Sequence, residues 1–92
     1  MSDQFRDMED RNRFELDVEG TTAFVTYRKS PGAITLVHTE VPPSLGGRGL
    51  GGVLARAALE SARRRDLKVR PACPFVRDYI VRNPEYASLV AG

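Results

Sequence analysis

The segment Val41-Pro42-Pro43-Ser44-Leu45-Gly46-Gly47-Arg48-Gly49-Leu50-Gly51-Gly52 constrains this chain most, because an apolar strand-like run gives way there to an amphipathic helix through glycines. Two consecutive prolines remove two backbone donors, so a strand that reaches Val41 cannot continue its ladder. The glycines that follow let the backbone press close to a ligand. The unpaired N–H groups of the helix start then supply donors and a favourable dipole. Strand, glycine loop and helix in this order form a phosphate site, so the expected ligand is a phosphorylated cofactor.

Two well-known phosphate loops do not fit. A P-loop needs Lys and Ser or Thr directly after its last glycine, whereas Gly51 is followed by Gly52-Val53 and Gly52 by Val53-Leu54. The dinucleotide fingerprint G-x-G-x-x-G is present as Gly47-Arg48-Gly49-Leu50-Gly51-Gly52, yet the next strand-like run, Leu67-Lys68-Val69-Arg70, ends without the acidic residue that holds a ribose hydroxyl. Three strand-like runs also precede the loop, and too little chain follows it for a doubly wound sheet.

Residues 1–12 carry scattered charge with little periodicity and read as a mobile arm, leaving residues 13–92 as a single domain. Phe14, Leu16 and Val18 alternate with Glu15 and Asp17, which predicts a half-buried strand ending at Gly20. Thr22 to Arg28 predicts a second strand and Ala33 to Val41 a third, so the three form a meander. Beyond the loop, Leu50, Val53, Leu54, Ala57, Ala58 and Ser61 share one helical face, while Arg56, Glu60, Arg63 and Arg64 share the other. Leu67 to Arg70 makes a fourth strand, parallel to the third through a right-handed crossover. Pro74 suits the first turn of a second helix with Phe75, Val76, Tyr79 and Ile80 on its buried side, and Pro84 ends it. The expected fold class is α+β, a mostly antiparallel sheet of about four strands with one parallel β-α-β unit and two main helices.

A chain of 92 residues with a formal charge of +2 supports one modest core and gives no argument for nucleic acid. No apolar run approaches the ~20 residues of a membrane span, and the charged start does not read as a signal, so neither a membrane partner nor export is expected and the predicted location is cytoplasmic. The single cysteine fits a reducing compartment, and one His with one Cys offers too few ligands for zinc, so no metal is expected. Arg63-Arg64-Arg65 closes the first helix, where cations complement the dipole; the competing reading places it near a cofactor phosphate.

Candidate chemistry centres on Cys73 and His38. Cys73 sits at the carboxyl end of a strand and the start of a helix, where the dipole favours a thiolate; it equally suits a small buried hydrophobe. His38 lies two places before Glu40, and strand alternation sends both to one face. That face would also carry Ile34 and Leu36, so the imidazole is either a base near Cys73 or a half-buried, hydrogen-bonded ring.

The loop resembles the pyrophosphate loop of the GCN5-related N-acetyltransferase superfamily, Gln/Arg-x-x-Gly-x-Gly/Ala, whose later part stands here as Arg48-Gly49-Leu50-Gly51. More narrowly, the chain resembles small single-domain acetyltransferase-like proteins. Their motifs are present as His38-Thr39-Glu40-Val41-Pro42-Pro43 and Cys73-Pro74-Phe75, followed by Tyr79-Ile80 and Asn83-Pro84-Glu85-Tyr86. The likeness runs from about Phe14 to Val90. One departure is Gly46, where the family usually has Gln or Arg to contact the pyrophosphate.

The resemblance implies an acetyl-CoA-dependent N-acetyltransferase acting on a small-molecule or protein amine. It implies catalytic roles for Cys73 and His38, and cofactor binding by Val41, Gly47, Arg48, Gly49, Leu50, Gly51, Gly52 and Asn83. Tyr79 would either protonate a departing thiolate or belong to the core. The alternative reading is a CoA-binding module or sensor without turnover, and so small a chain also leaves room for a partner protein that completes the acceptor site.

Overall fold

The computed structural model describes residues 4–91. A five-stranded sheet runs in sequence order, β1 (Gln4–Met8), β2 (Arg13–Val18), β3 (Thr21–Ser30), β4 (Ala33–Glu40) and β5 (Lys68–Pro71). The first four strands are antiparallel neighbours, while β5 pairs parallel to β4 through the crossover helix α1 (Leu50–Arg64). A second helix, α2 (Pro74–Arg82), packs beside α1, and a 3-10 segment, Pro84–Leu89, follows it.

Alternation in β2 and β3 sets the core. Phe14 faces Val25 and Leu16 faces Ala23 across the ladder, and all four side chains are buried beneath the helices. Ile34 and Leu36 of β4 and Val69 of β5 complete that face. Among the described residues the opposite face carries no helix: Thr22, Phe24 and Thr26 point out to it from β3.

The structure adds a strand where the sequence reads as a mobile arm. Positions 1–3 of that arm lie outside the described residues, but Gln4–Met8 pairs along β2 and a short 3-10 turn, Glu9–Arg11, joins the two. Phe5 stacks on Phe14 with ring centroids 5.4 Å apart, and Tyr27 donates its hydroxyl proton to Asp7 at 2.6 Å. Asp7 also pairs with Arg65 at the end of α1. These contacts leave almost no apolar rhythm in the sequence, so polar pairing rather than alternation fixes the strand. On the outer face Arg6, Arg11 and Arg13 surround Glu15, whose side chain is 3% exposed.

A second correction concerns α1. Its buried arc holds Leu50, Leu54, Ala55, Ala58, Leu59, Ser61 and Ala62, while Val53 is 50% exposed. The arc is turned from the face the spacing predicts because α1 packs on α2 as well as on the sheet. The helix ends with Arg63 over the Tyr86 ring and Arg65 on Asp7. Fifteen residues separate the ends, a span of about 22 Å, so the arginine cluster is anchored far from the glycine loop.

Candidate active site

The glycine loop carries the chain from β4 into α1 and leaves a run of backbone donors open. Pro43–Leu45 forms one 3-10 turn whose bonds end with Gly46 N–H on Pro43 O, and the first helical bond of α1 runs from Val53 N–H to Gly49 O. Between them, the six N–H groups of residues 47–52 meet no acceptor among the described residues, and no side chain caps the helix. Gly49, the N-cap, has φ of 70°, a conformation that suits glycine. Gly49 and Gly52 open onto a groove of about 350 Å³ whose other wall is α2, through Phe75, Asp78, Tyr79, Arg82 and Asn83. Close packing makes this wall possible. A Cβ on Gly51 would lie 2.7 Å from Cζ of Phe75, so no larger residue fits while that ring lines the groove.

The predicted loop residues divide by role. Gly47, Gly49, Gly51 and Gly52 contribute backbone, and Leu50 offers its N–H while its side chain enters the core. Arg48 turns its guanidinium to Glu19 of the β2–β3 turn at 3.1 Å. Asn83 caps α2, donating from Nδ2 to the Tyr79 carbonyl at 2.9 Å, and still lines the groove. Val41 follows β4 directly and packs against the core.

Beside the loop the sheet forks. The last β4–β5 pair is Leu36 with Pro71, and Cys73 N–H closes the junction on Leu36 O at 2.9 Å. From there β4 runs on to Glu40 with no strand among the described residues on that edge. Just past the junction the β3–β4 register slips, Tyr27 opposing Leu36 and Thr26 opposing His38, which makes Val37 the extra residue of a β-bulge. The bulge resets the alternation. Thr39, opposite Val25, turns to the core face, while His38 and Glu40 turn to the open one with Thr26 and Phe24.

This overturns the expectation that His38 shares a face with Ile34 and Leu36. The side chain of β4 that meets Cys73 is Thr39, with Oγ1 3.3 Å from Sγ. His38 and Glu40 do form a pair, Nε2 to Oε1 at 3.1 Å, with side chains 60% and 57% exposed. Cys73, only 3% exposed, is the N-cap of α2 on the other side of the fork. Burial pushes its thiol up. The Thr39 hydroxyl and the N–H groups of Val76, Phe75 and Thr39 pull it further down, so the net position is below the ordinary thiol value.

Residues 13–89 match the GCN5-related N-acetyltransferase family. This chain belongs to that family. A GCN5-like protein of Staphylococcus aureus, solved in solution by NMR, shares the fold with a TM-score of 0.73 at 32% identity, over 97% of this chain and 88% of its own. Over 51 residues the chain is 41% identical to Protein NATD1 of Gallus gallus and of Mus musculus, a stretch that is 55% of this chain and 46% of each relative. The match therefore spans less than half the length of those relatives.

Within this acetyltransferase family member, Thr39 and Phe75 stand inside the quoted motifs without an assigned role, yet Thr39 meets the Cys73 sulfur and Phe75, expected on the buried side of α2, is 44% exposed along the groove. Thr39 looks outward by simple alternation, and Phe75 looks like core. Replacing Thr39 with Val is expected to move the Cys73 ionisation midpoint upward, followed by thiolate ultraviolet absorbance against pH. Because the folded thiol is depressed, ionisation stabilises the fold increasingly as pH rises through the folded midpoint, fully so above the ordinary thiol value, and the gain is lost as pH falls. Thr39→Val narrows that window, and an unmoved midpoint would mean that the hydroxyl does not act on the sulfur.

Proposed function

We propose that the protein is an acetyl-CoA-dependent N-acetyltransferase of the cytoplasm. The observation that carries this reading is the row of six N–H groups over residues 47–52 that meet no acceptor among the described residues, beside a groove between α1 and α2 that Gly49 and Gly52 line. Such a row holds a pyrophosphate through donors alone, which offsets the missing side chain at Gly46. The unpaired edge of β4 beyond Leu36, through Val41, offers backbone groups to an amide-bearing arm. When bound, acetyl-CoA supplies an activated acyl thioester.

The bulge assigns the protein side chains to two sides of the fork. On the open side, a neutral His38 that donates Nε2–H to Glu40 keeps Nδ1 as its acceptor, placed to take a proton from an incoming ammonium. Glu40 fixes the ring and attracts the cation. Replacing His38 with Ala is expected to lower kcat about 100-fold. Equal rates for the two proteins would remove His38 from the reaction.

A second reading has Cys73 carry the acetyl group, and the Thr39 contact favours it by supporting a thiolate. Intact mass after mixing with acetyl-CoA separates the two. A gain of one acetyl group that disappears in Cys73→Ala supports the cysteine route, while steady turnover in Cys73→Ala supports direct transfer. Binding without turnover on any amine would leave a CoA sensor.

A further inference from the structure

We propose that the open sheet face selects an acceptor carrying its own anionic group, a carboxylate or phosphate held by Arg28 and Arg70, one row away from the amine end. The inference rests on the reading of His38 and Glu40 given above and adds the substrate class. In the register Arg28 faces Thr35 across β3–β4, and Thr35 faces Arg70 across β4–β5, so the three form one row on the side turned away from the helices. The adjoining row holds Thr26 and His38. Two residues along β3 separate the rows, about 7 Å.

Charge accounting singles out these two arginines. Elsewhere on the same face the cations have partners: Arg6 pairs with Glu15 and Asp17, Arg11 and Arg13 pair with Glu15, and Lys68 donates to the Ser88 carbonyl. Arg28 and Arg70 are exposed and make no ion pair or hydrogen bond among the described residues. Their Cα atoms stand two strand spacings apart, about 10 Å, with the half-buried Thr35 between them. Long guanidinium arms on that spacing converge on one anion lodged over the threonine, with geometry suited to two-pronged contacts.

The face is thus polarised. Cations at Arg28 and Arg70 stand beside the exposed His38–Glu40 pair, matching a molecule with an anion at one end and a primary amine at the other. A polycationic acceptor meets repulsion at the arginine row instead.

The test compares ε-aminocaproate with n-hexylamine, which share the amine and chain length but differ in the carboxylate. Amide NMR of the full chain is expected to show ε-aminocaproate shifting Arg28, Thr35 and Arg70, with hexylamine leaving them in place. Acetyl transfer is expected to favour ε-aminocaproate about tenfold in kcat/KM. In Arg28→Gln/Arg70→Gln, checked for folding by thermal melting, the two amines should reach parity. Aminohexyl phosphate tells the two anion sources apart: tighter binding than ε-aminocaproate names a phosphate, weaker binding a carboxylate. Equal binding and reaction of the paired amines, or no shift at the arginine row, would overturn the proposal. If ε-aminocaproate binds there and the double variant loses it while no amine is acetylated, the anion site stands and the acetyltransferase reading falls.

Discussion

Calorimetric titration of Gly49→Val with CoA is expected to give no measurable heat at concentrations that saturate the unaltered chain. Gly49 holds φ of 70° as the N-cap of α1, and a side chain in that left-handed conformation costs about 1–2 kcal/mol. Valine, branched at Cβ, suits it least. The loop escapes the strain by turning, and the turn re-aims the N–H groups that make the site. Hydrogen bonds to a charged group contribute about 1.5–3 kcal/mol each, so losing two weakens binding more than about 100-fold. The added methyl groups also enter the groove that Gly49 lines. The fold survives, because Gly49 is exposed and its neighbour Leu50 keeps its place in the core. Undiminished binding in a folded variant would mean that the loop is not the phosphate site.

Removing residues 1–8 is expected to lower the melting temperature by more than about 10 °C. The deletion takes Phe5 from the Phe14 ring, Asp7 from both the Tyr27 hydroxyl and Arg65, and Arg6 from Glu15. Burial of one aromatic ring contributes about 1.5–3 kcal/mol, and a polar group left without its partner costs about 1–3 kcal/mol more. For a domain of this size each kcal/mol shifts melting by about 4–8 °C. Tyr27 makes the loss cooperative: burial, first, and the Asp7 contact together raise its hydroxyl well above the ordinary phenol range, which marks a site that keeps the proton donated to Asp7. An unchanged melting curve would return the segment to the mobile arm that its sequence suggests.

Where the chain was legible, one physical signal dominated. Pro42-Pro43 had to stop β4, glycines had to open the helix, and Phe14, Leu16 and Val18 had to face inward. Each follows from local sterics or a period of two. The parallel placement of β5 followed from the crossover rule alone.

Legibility failed where tertiary context set the geometry. A bulge at Val37 leaves no mark on the sequence, since it arises from the register between β3 and β4, yet it exchanges the faces of His38 and Thr39. Strand β1 has Phe5 inward but no repeated alternation, because ion pairs on Glu15 and Asp17 do the pairing. The inner arc of α1 could not be read without α2, whose Phe75 ring lies against Gly51. Asn83 caps α2 and lines the groove, two placements that its residue type alone does not separate.

The measurement that tests the central claim most directly is an amide NMR titration of the intact chain with CoA. The site described here predicts that the largest shifts fall on the N–H groups of residues 47–52, with smaller ones at Phe75, Tyr79 and Asn83 across the groove. Shifts confined to the open sheet face, or none at saturating CoA, would contradict it.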